Sequence, residues 1–373
     1  MRNRREFLKE AAGASAGMFF WGSRAHSSRA KALGPQAGAA AKRREIRIGQ
    51  RRIKTVDVHS HIALPEATAL LQGTALEKLA AGGPTRAGTN PNSLGSERLQ
   101  TMDEMGIDVQ VVSINAFWYS AERDLARRLI DLQNQKLAEL CAVHPDRFVA
   151  LASVALQFPE LAAQQMEEAM KHLGMRGAAI GGSVEGQELS SPKFDPFWAK
   201  AEELQAFIFM HPQDSAVATG IVSRAQGNGF LENVIGNPLE TTIFLSHLIF
   251  EGTLDRFPNL KLCAAHAGGY LPSYSGRMDQ GCPTFPGRCS KTLQKKPSEY
   301  LKQLYFDAMV FTPERLRHLI AVCGASQLGL GSDYPFAWEV HPVDHVLNTP
   351  GLSDADRETI LGGTMRKLLR IPA

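Results

Sequence analysis

Two histidines separated by a single residue are the first side chains in this sequence whose spacing suits metal chemistry. His59 and His61 lie in residues 54–62, where β-branched and polar residues alternate, and this pattern predicts a β-strand. Side chains two positions apart on a strand share one face and stand about 6–7 Å apart, so Asp57 is expected to project the same way. The two imidazoles can share one divalent ion. A strand with half-buried, hydrogen-bonded histidines is the structural alternative.

Strand and helix patterns alternate through the rest of the chain. The predicted strands cover residues 54–62, 109–114, 148–156, 176–180, 206–211, 260–266, 304–308 and 327–333. The clearest predicted helices between them cover residues 96–105, 120–143, 159–173, 195–204 and 313–323. A long loop rich in Gly, Pro and Asn is expected over residues 63–95. Eight strands separated by helices favour a (β/α)₈ TIM barrel, of the α/β class, over an open doubly wound sheet. No Gly-x-Gly-x-x-Gly follows a strand, so a dinucleotide site lacks support.

Polar residues end several of these predicted strands. In a barrel the carboxyl ends of the strands face one mouth, where reactive side chains stand. The residues concerned are His59, His61, His211, His266 and Asp333. Each ends a mainly apolar run, where an unpaired polar group is costly, and five of them at one mouth predict a site. Three histidines and one carboxylate suit Zn²⁺, or Mn²⁺ or Fe²⁺ with added water. The fourth strand ends in 180–183 without a lysine to carry a bridging carbamate, which favours one ion over two.

Five segments together resemble the amidohydrolase superfamily, in the branch typified by aminocarboxymuconate-semialdehyde decarboxylase. The segments are Asp57-Val58-His59-Ser60-His61, His211-Pro212-Gln213-Asp214, Ser246-His247-Leu248-Ile249-Phe250-Glu251-Gly252, Ala265-His266-Ala267-Gly268-Gly269 and Gly331-Ser332-Asp333-Tyr334-Pro335-Phe336. The resemblance runs from about residue 53 to the end of the chain and implies a metal-dependent barrel. It implies that the metal ligands are His59, His61, His211 and Asp333.

The resemblance also suggests catalytic and substrate-binding residues. It implies that His266 acts as acid or base together with Asp333, and that Arg277 can reach a neighbouring subunit's site. Two features depart from the branch: Ala267 follows His266 where glycine is common, and residues 280–286 lack basic side chains for a second substrate carboxylate. We infer the branch and its chemistry but not the same substrate. The pocket walls are predicted to include Trp118, Tyr334 and Phe336.

The amino terminus has the pattern of an export signal. Arg4-Arg5 followed by Phe7, Leu8 and Lys9 resembles a twin-arginine signal, and an apolar run too short to span a membrane follows. Residues 1–32 are therefore interpreted as a signal peptide, with Ala30-Lys31-Ala32 one of several candidate cleavage sites. Residues 33–50 are predicted to form a linker and residues 51–373 the barrel. The expected location is the periplasm, reached through the twin-arginine machinery.

Charge and cysteine content limit which partners and which cysteine-based sites are expected. Without residues 1–32, 34 basic residues face 36 acidic ones, so neither nucleic acid nor an anionic membrane is an expected partner, and no stable membrane span is predicted. The five cysteines are scattered and lack metal-finger spacing. Cys282 and Cys289 are able to pair in an oxidising compartment, but spacing does not establish this, and free cysteines are expected.

The predicted function is non-oxidative decarboxylation of an aromatic or conjugated unsaturated carboxylic acid by one divalent ion. A metal-dependent hydrolase of a lactone, amide or ester is the alternative, because the same ligands can activate water. A periplasmic binding protein on an inactive barrel is a third possibility. A homodimer or homotetramer is expected from the resemblance.

Overall fold

A computed structural model of the chain describes residues 43–74, 76–77, 90–115, 117–213, 224–225, 227–289 and 293–372. The predicted signal peptide and most of the predicted linker lie outside these residues. The strands are β1 (Ile46–Ile48), β2 (Arg51–Ile53), β3 (Val56–His61), β4 (Val109–Ser113), β5 (Phe148–Ala150), β6 (Gly177–Ile180), β7 (Ser183–Val184), β8 (Gln187–Glu188), β9 (Phe207–Met210), β10 (Lys261–Ala264), β11 (Tyr305–Asp307) and β12 (Leu328–Gly329).

The α-helices are α1 (Pro65–Ala69), α2 (Ser96–Met105), α3 (Arg123–Val143), α4 (Pro159–His172), α5 (Asp195–Glu203), α6 (Asn237–Phe250), α7 (Thr253–Arg256), α8 (Leu271–Thr284), α9 (Pro313–Cys323), α10 (Pro342–Asn348), α11 (Asp354–Glu358) and α12 (Thr364–Leu368). Two π-helical turns cover Glu232–Gly236 and Thr359–Gly363. Short 3₁₀ turns cover Pro192–Phe194, His266–Gly268, Pro286–Arg288, Pro297–Gln303 and Ala325–Gln327. No helix in the described ranges is long and apolar enough to cross a bilayer.

Eight parallel strands form the barrel. One run pairs in the order β3-β4-β5, and the other in the order β6-β9-β10-β11-β12. Single bridges join the two runs at both seams, Ala152 to Ala178 at one and Asp57 to Leu330 at the other. At the second seam the backbone N–H of Val58 donates to the carbonyl of Leu330 over 2.8 Å. The predicted (β/α)₈ barrel of the α/β class is confirmed.

Burial on both faces explains why the strands appear in the sequence as continuous apolar runs. Every residue of β3, β4, β6 and β9 is buried, as expected where helices cover a parallel sheet. Around the sheet, α2 has the predicted bounds and ends at Gly106, whose φ of 77° lies in the left-handed region that favours glycine. The amphipathic helix α3 begins after Glu122, whose side chain accepts hydrogen bonds from the backbone N–H groups of Asp124 and Leu125.

Several predicted elements differ in extent. One is β5, which covers Phe148–Ala150 where the sequence predicted 148–156. The last strand, β12, covers two residues where the sequence predicted 327–333. Beyond it, Leu330 still forms a bridge to Asp57, and Asp333 has a left-handed φ of 57°. The predicted long loop 63–95 begins with helix α1, and residues 75 and 78–89 of that loop lie outside the described part of the chain.

The folded region begins earlier than the sequence analysis placed it. Part of the predicted linker forms β1, which pairs antiparallel with β2. Ile46, Ile48 and Ile53 are buried, so the hairpin adds apolar side chains to the core. Arg52 of this hairpin also donates to the carboxylate of Asp108 at 2.6 and 2.8 Å, just before β4. The linker boundary at residue 50 is therefore wrong, because two short strands carry too few residues to show periodicity.

The structure also corrects the expectation of free cysteines. Cys282 and Cys289 form a disulfide that joins the last turns of α8 to the segment after it. Pro283 and the 3₁₀ turn at Pro286–Arg288 fold the chain back after the helix and bring the two residues together. Cys141, Cys263 and Cys323 are free and buried.

Candidate metal centre

Four potential ligands converge at the carboxyl end of the barrel. His59 and His61 lie on β3, His211 directly follows β9, and Asp333 follows β12. One ligand atom from each lies within 4.8 Å of the others, and all four residues are buried. Asp333 Oδ1 lies 3.1 Å from His59 Nε2 and 3.0 Å from His61 Nε2. The structure thus brings together the four predicted ligands, and it contains no second group of this kind among the residues that it describes.

An irregularity in β3 presents both of its histidines to the site. Asp57 pairs with Gln110 of β4, but Ser60 pairs with Val112, so β3 uses three residues where β4 uses two. Such a bulge re-aims side chains. The rings of His59 and His61 lie 4.9 Å apart, and the ring of His211 lies 5.1 and 4.7 Å from them. Asp57, expected to project with the histidines, is not a member of the ligand group.

The ligand atoms fit a divalent cation. Nε2 of His59, Nε2 of His61 and Oδ1 of Asp333 are buried and make no hydrogen bond. Each unsatisfied buried polar atom costs about 1–3 kcal/mol. Imidazole nitrogens and a carboxylate oxygen form the donor set of Zn²⁺ and related ions, so one ion at this position satisfies all three atoms.

Hydrogen bonds to the other ring nitrogen orient each histidine. His59 Nδ1 donates to Asp307 Oδ2 over 2.7 Å, His61 Nδ1 lies 3.1 Å from Ser113 Oγ, and His211 Nδ1 donates to the Pro212 carbonyl over 2.8 Å. When Nδ1 carries the proton, the Nε2 lone pair is free to bind a metal. All three rings are therefore held as Nε2 ligands.

Burial and mutual proximity set the charge states of the site. Burial lowers the pKa of His61 to about 4, and burial with the nearby histidines lowers the pKa of His211 well below its ordinary value. Burial acts to raise the pKa of Asp333, but the positive charge of His59 and the closeness of the other histidines hold it well below its usual range. Burial acts to lower the pKa of His59, but the charge of Asp333 and the hydrogen bond to Asp307 raise it to about 10. His61 and His211 are therefore in the neutral form that binds a cation, whereas His59 releases a proton when a cation binds.

His266 stands beside the ligand group with its backbone in an unusual conformation. Its Nε2 lies 4.0 Å from Asp333 Oδ2, and its ring is 5.2 and 5.1 Å from the rings of His59 and His211. His266 and Ala267 both have left-handed φ values, 55° and 57°. Non-glycine residues in this region carry strain of about 1–3 kcal/mol and cluster at functional sites. The structure thus places the predicted acid–base histidine next to the predicted ligands.

A polar network that the sequence analysis did not find lies behind the ligands. Asp57 accepts from Gln110 Nε2 at 2.8 Å and from the Ser332 hydroxyl at 2.6 Å. Arg98, which is 1% exposed, donates to Gln110 Oε1 and to the His61 carbonyl, both at 2.8 Å. The network therefore links the first and last barrel strands next to two ligands.

Both Arg98 and Asp307 could have been identified from the sequence. Arg98, Met102 and Met105 are the buried residues of α2, spaced i, i+4, i+7, so the apolar pattern places position 98 on the inner face. Asp307 ends β11 and meets the criterion that identified the other strand-end residues.

Two glycines at the end of the fourth barrel strand pack closely against neighbouring side chains. A Cβ on Gly181 would lie 2.2 Å from Gln213 Nε2, and a Cβ on Gly182 would lie 2.6 Å from Glu240 Oε1. Real Cβ contacts are essentially never shorter than 3.0 Å. A larger residue at either position would therefore require the end of the Gln213 or Glu240 side chain to move.

The predicted substrate-binding residues have different environments. The ring of Phe336 lies 6.1 Å from the ring of His61, and Trp118 is partly buried against the core. Tyr334 is 2% exposed and its ring lies 4.5 Å from the Arg98 guanidinium, so its contact is one of packing. Arg277 lies exposed on α8. Substrate contact stays a prediction for all four residues, Phe336, Trp118, Arg277 and Tyr334.

Comparisons with known proteins agree with this geometry. The chain is 30% identical over 275 residues to 2-amino-3-carboxymuconate-6-semialdehyde decarboxylase from Dictyostelium discoideum, covering 73% of this chain and 75% of that protein. It is 28% identical over 293 residues to gamma-resorcylate decarboxylase from Polaromonas sp., covering 74% of this chain and 86% of that protein.

A solved structure shares the barrel. It is that of 5-carboxyvanillate decarboxylase from Novosphingobium aromaticivorans complexed with manganese and 4-hydroxy-3-methoxy-5-nitrobenzoic acid. This structure matches with a TM-score of 0.74 at 21% identity, covering 86% of this chain and 96% of that chain. The pattern of the amidohydrolase family matches residues 56–371. This chain therefore belongs to the amidohydrolase family, in the branch that contains these decarboxylases.

Proposed function

We propose that this protein is a divalent-metal-dependent, non-oxidative decarboxylase, a carboxy-lyase, of an aromatic or conjugated unsaturated carboxylic acid. The observation that carries the proposal is the buried group of three histidines and Asp333, with His266 at 4.0 Å from Asp333. Decarboxylase activity in both curated relatives supports the same reaction class.

The reaction requires a charge-stabilising group and a proton source. The bond between the carboxylate carbon and the adjacent sp² carbon breaks, CO₂ leaves, and the electron pair remains on that sp² carbon until it takes a proton. A divalent ion held by His59, His61, His211 and Asp333 supplies Lewis-acid stabilisation of negative charge when bound. His266 is placed to deliver the proton, and the ionised carboxylate of Asp333, 4.0 Å from His266 Nε2, can take part by first accepting a proton and then passing it on. The aromatic ring of Phe336, near His61, suits a planar substrate.

For the ion itself, we propose Zn²⁺ from the ligand chemistry. Three imidazoles and one carboxylate favour Zn²⁺, with Mn²⁺ or Fe²⁺ as alternatives that accept additional oxygen ligands. Manganese in the Novosphingobium enzyme supports the Mn²⁺ alternative. Elemental analysis of the purified protein, followed by reconstitution of metal-free protein with each ion, tests which metal restores activity.

A neighbouring subunit is proposed to complete the substrate pocket. Arg277 is exposed on α8, and no hydrogen bond or ion pair of its side chain occurs in the described ranges. Tyr274, on the same helix, is 62% exposed. A homodimer or homotetramer that covers this helix brings the guanidinium to a partner's carboxylic acid substrate, which it can hold bidentately. Light scattering tests the assembly, and Arg277→Ala is expected to raise KM at least tenfold.

Hydrolysis is the alternative reaction. The same ligand group can activate water against a lactone, amide or ester. Incubation of metal-loaded protein with hydroxybenzoates and muconate semialdehydes, with CO₂ release as the readout, distinguishes the two. Release that disappears in His266→Asn supports the decarboxylase. Turnover of lactones or esters without CO₂ release supports the hydrolase instead.

We also propose export through the twin-arginine pathway to the periplasm. The Arg4-Arg5 pattern in residues 1–32 supports this location. Export of a folded protein allows the barrel to acquire its ion before transport. Cell fractionation with amino-terminal sequencing is the test, and mature protein found in the cytoplasm with residues 1–32 intact contradicts the proposal.

A further inference from the structure

A single buried carboxylate contacts both a metal ligand and the acid–base histidine. Asp307 ends β11 and is fully buried. Its Oδ2 accepts from His59 Nδ1 at 2.7 Å and from the backbone N–H of His266 at 2.8 Å. Its Oδ1 accepts from the backbone N–H of Ala267 at 2.8 Å and of Met309 at 3.2 Å. Four donors from three segments of the mouth therefore meet on one side chain.

We propose that Asp307 is a positioning residue that couples the metal ligand His59 to the acid–base histidine His266. This inference rests on the proposed metal-dependent function, but its content is separate: one carboxylate sets the orientation of both groups. A change at Asp307 is therefore expected to alter metal binding and the environment of His266 together, although Asp307 belongs to neither the ligand group nor the substrate pocket.

On the metal side, Asp307 determines the tautomer of His59. Because a carboxylate can only accept hydrogen bonds, His59 must carry its proton on Nδ1, and Nε2 is left as a ligand. Carboxylates in this position also raise the basicity of the ring, and their loss typically weakens metal binding by about 10–100-fold.

On the histidine side, Asp307 holds the strained turn. His266 and Ala267 have consecutive left-handed φ values of 55° and 57°. Strained residues of this kind persist only where surrounding contacts hold them. The two backbone N–H groups of this turn both donate to Asp307, one to each oxygen. The direction of the His266 side chain therefore depends on the same carboxylate.

The chemistry of the two oxygens provides the test variant. Asp307→Asn has nearly the same size but carries one acceptor and one donor in place of two acceptors. In either orientation of the Asn amide, its N–H₂ group faces two N–H donors, so the two hydrogen bonds on that side are lost. A matched control is Asp108→Asn, at the opposite end of the barrel. Asp108 is also a buried carboxylate, and it accepts a backbone hydrogen bond from Thr55 at 2.8 Å.

The experiment uses the full chain and two readouts that need no turnover. Mn²⁺ affinity of the metal-free protein is measured by electron paramagnetic resonance, and the ligand field by the visible spectrum of the Co²⁺-loaded protein. The labelling rate of His266 by diethyl pyrocarbonate is measured by peptide mass spectrometry. We expect Asp307→Asn to weaken Mn²⁺ binding about 10–100-fold, to change the Co²⁺ spectrum, and to alter His266 labelling several-fold. In Asp108→Asn, the Mn²⁺ affinity, the Co²⁺ spectrum and the rate of His266 labelling are all expected to stay at wild-type values.

Two results would overturn the proposed coupling of His59 to His266. One is a wild-type Mn²⁺ affinity in Asp307→Asn, and the other is a weakened affinity with an unchanged rate of His266 labelling. If Asp307→Asn does not fold, Asp307→Glu carries the same readouts, because it keeps the charge but displaces the two oxygens by one methylene. Failure of the wild-type protein to release CO₂ from any acid counts against the proposed decarboxylase and leaves this inference standing.

Discussion

The backbone N–H of Asp333 donates a hydrogen bond to the carbonyl of His59 over 2.8 Å. His59 lies on the first barrel strand and Asp333 follows the last, and the bond lies at the seam where the two strands meet. The same seam is otherwise joined by the bridges Asp57–Leu330 and Ser60–Tyr334. An ion bound by both side chains therefore adds a further link between the first and the last barrel strand.

Metal removal is accordingly expected to lower stability. An ion present at about a hundredfold excess over its dissociation constant stabilises the native state by about 2.7 kcal/mol. We expect a chelator to lower the melting temperature of the wild-type protein in calorimetry, and His211→Ala to abolish this difference by removing one ligand.

The control for this prediction is His172→Ala. His172 is an exposed histidine on α4 and should keep the full metal-dependent increase in melting temperature. A melting temperature that does not respond to the chelator, in protein shown to contain metal, contradicts the prediction.

Replacement of Arg98 tests the network behind the ligands. Arg98→Met removes the donors to Gln110, Ser60 and the His61 carbonyl while keeping an apolar stem. We expect a loss of about 3–5 kcal/mol in the free energy of unfolding, because the partners of a buried charge are left unsatisfied. Urea denaturation measures it. Arg47→Met, at a side chain 54% exposed, should change stability by about 0.5 kcal/mol or less.

Acid stability depends in part on Asp108. Burial acts to raise the pKa of this carboxyl, but hydrogen bonds from Arg52 and the Thr55 backbone, with the charge of Arg43, hold it below its ordinary value. The folded state therefore favours the ionised form. Its contribution to stability is present above the unfolded pKa of about 3.9 and is lost as pH falls through the folded value.

We therefore expect Asp108→Asn to be less stable than wild type at pH 7, and the difference to shrink as pH falls below about 4. Urea midpoints measured from pH 3 to pH 7 for both proteins provide the comparison. A difference that stays constant over this range argues against an ionisation effect.

The turn after β10 provides a paired test of backbone conformation. Ala267 has a φ of 57°, which costs an L-residue about 1–2 kcal/mol relative to glycine. Part of this cost is offset because glycine is more flexible when unfolded. Ala267→Gly is therefore expected to raise the free energy of unfolding by about 0.5–1 kcal/mol.

Gly269→Ala is expected to lower the free energy of unfolding. A Cβ there would lie 2.1 Å from the Pro238 carbonyl oxygen, and Gly269 also has a φ of 66°. A loss of about 3 kcal/mol is expected from this clash. Thermal denaturation of the two variants beside wild type measures both changes, and equal stability of all three contradicts the strain argument.

Periodicity and strand-end chemistry were sufficient to predict the barrel and the ligand group. The eight apolar runs appear as barrel strands, and α2 and α9 have the predicted bounds. His59 and His61 were predictable because their two-residue spacing keeps them on one face despite the bulge, and His211 and Asp333 because each follows a buried run.

Features that depend on tertiary contacts were not predictable in this way. Pairing of Cys282 with Cys289 depends on how the chain turns after α8, and the hairpin β1–β2 has too few residues for a periodic signal. The apolar pattern places Arg98 on the inner face of α2, but a charged residue is usually exposed, and the partners Gln110 and Asp57 that accommodate its burial are known only from the structure.

The close packing of Gly181 and Gly182 has a consequence for how this barrel can diversify. A single mutation to lysine at either position would place its side chain where Gln213 or Glu240 already lies. Gln213 in turn donates to the Ser183 carbonyl over 2.9 Å, so its loss would release the segment after β6. A larger residue at either glycine therefore requires the end of the Gln213 or Glu240 side chain to move, so a substitution at this strand end is coupled to the conformation of its neighbour.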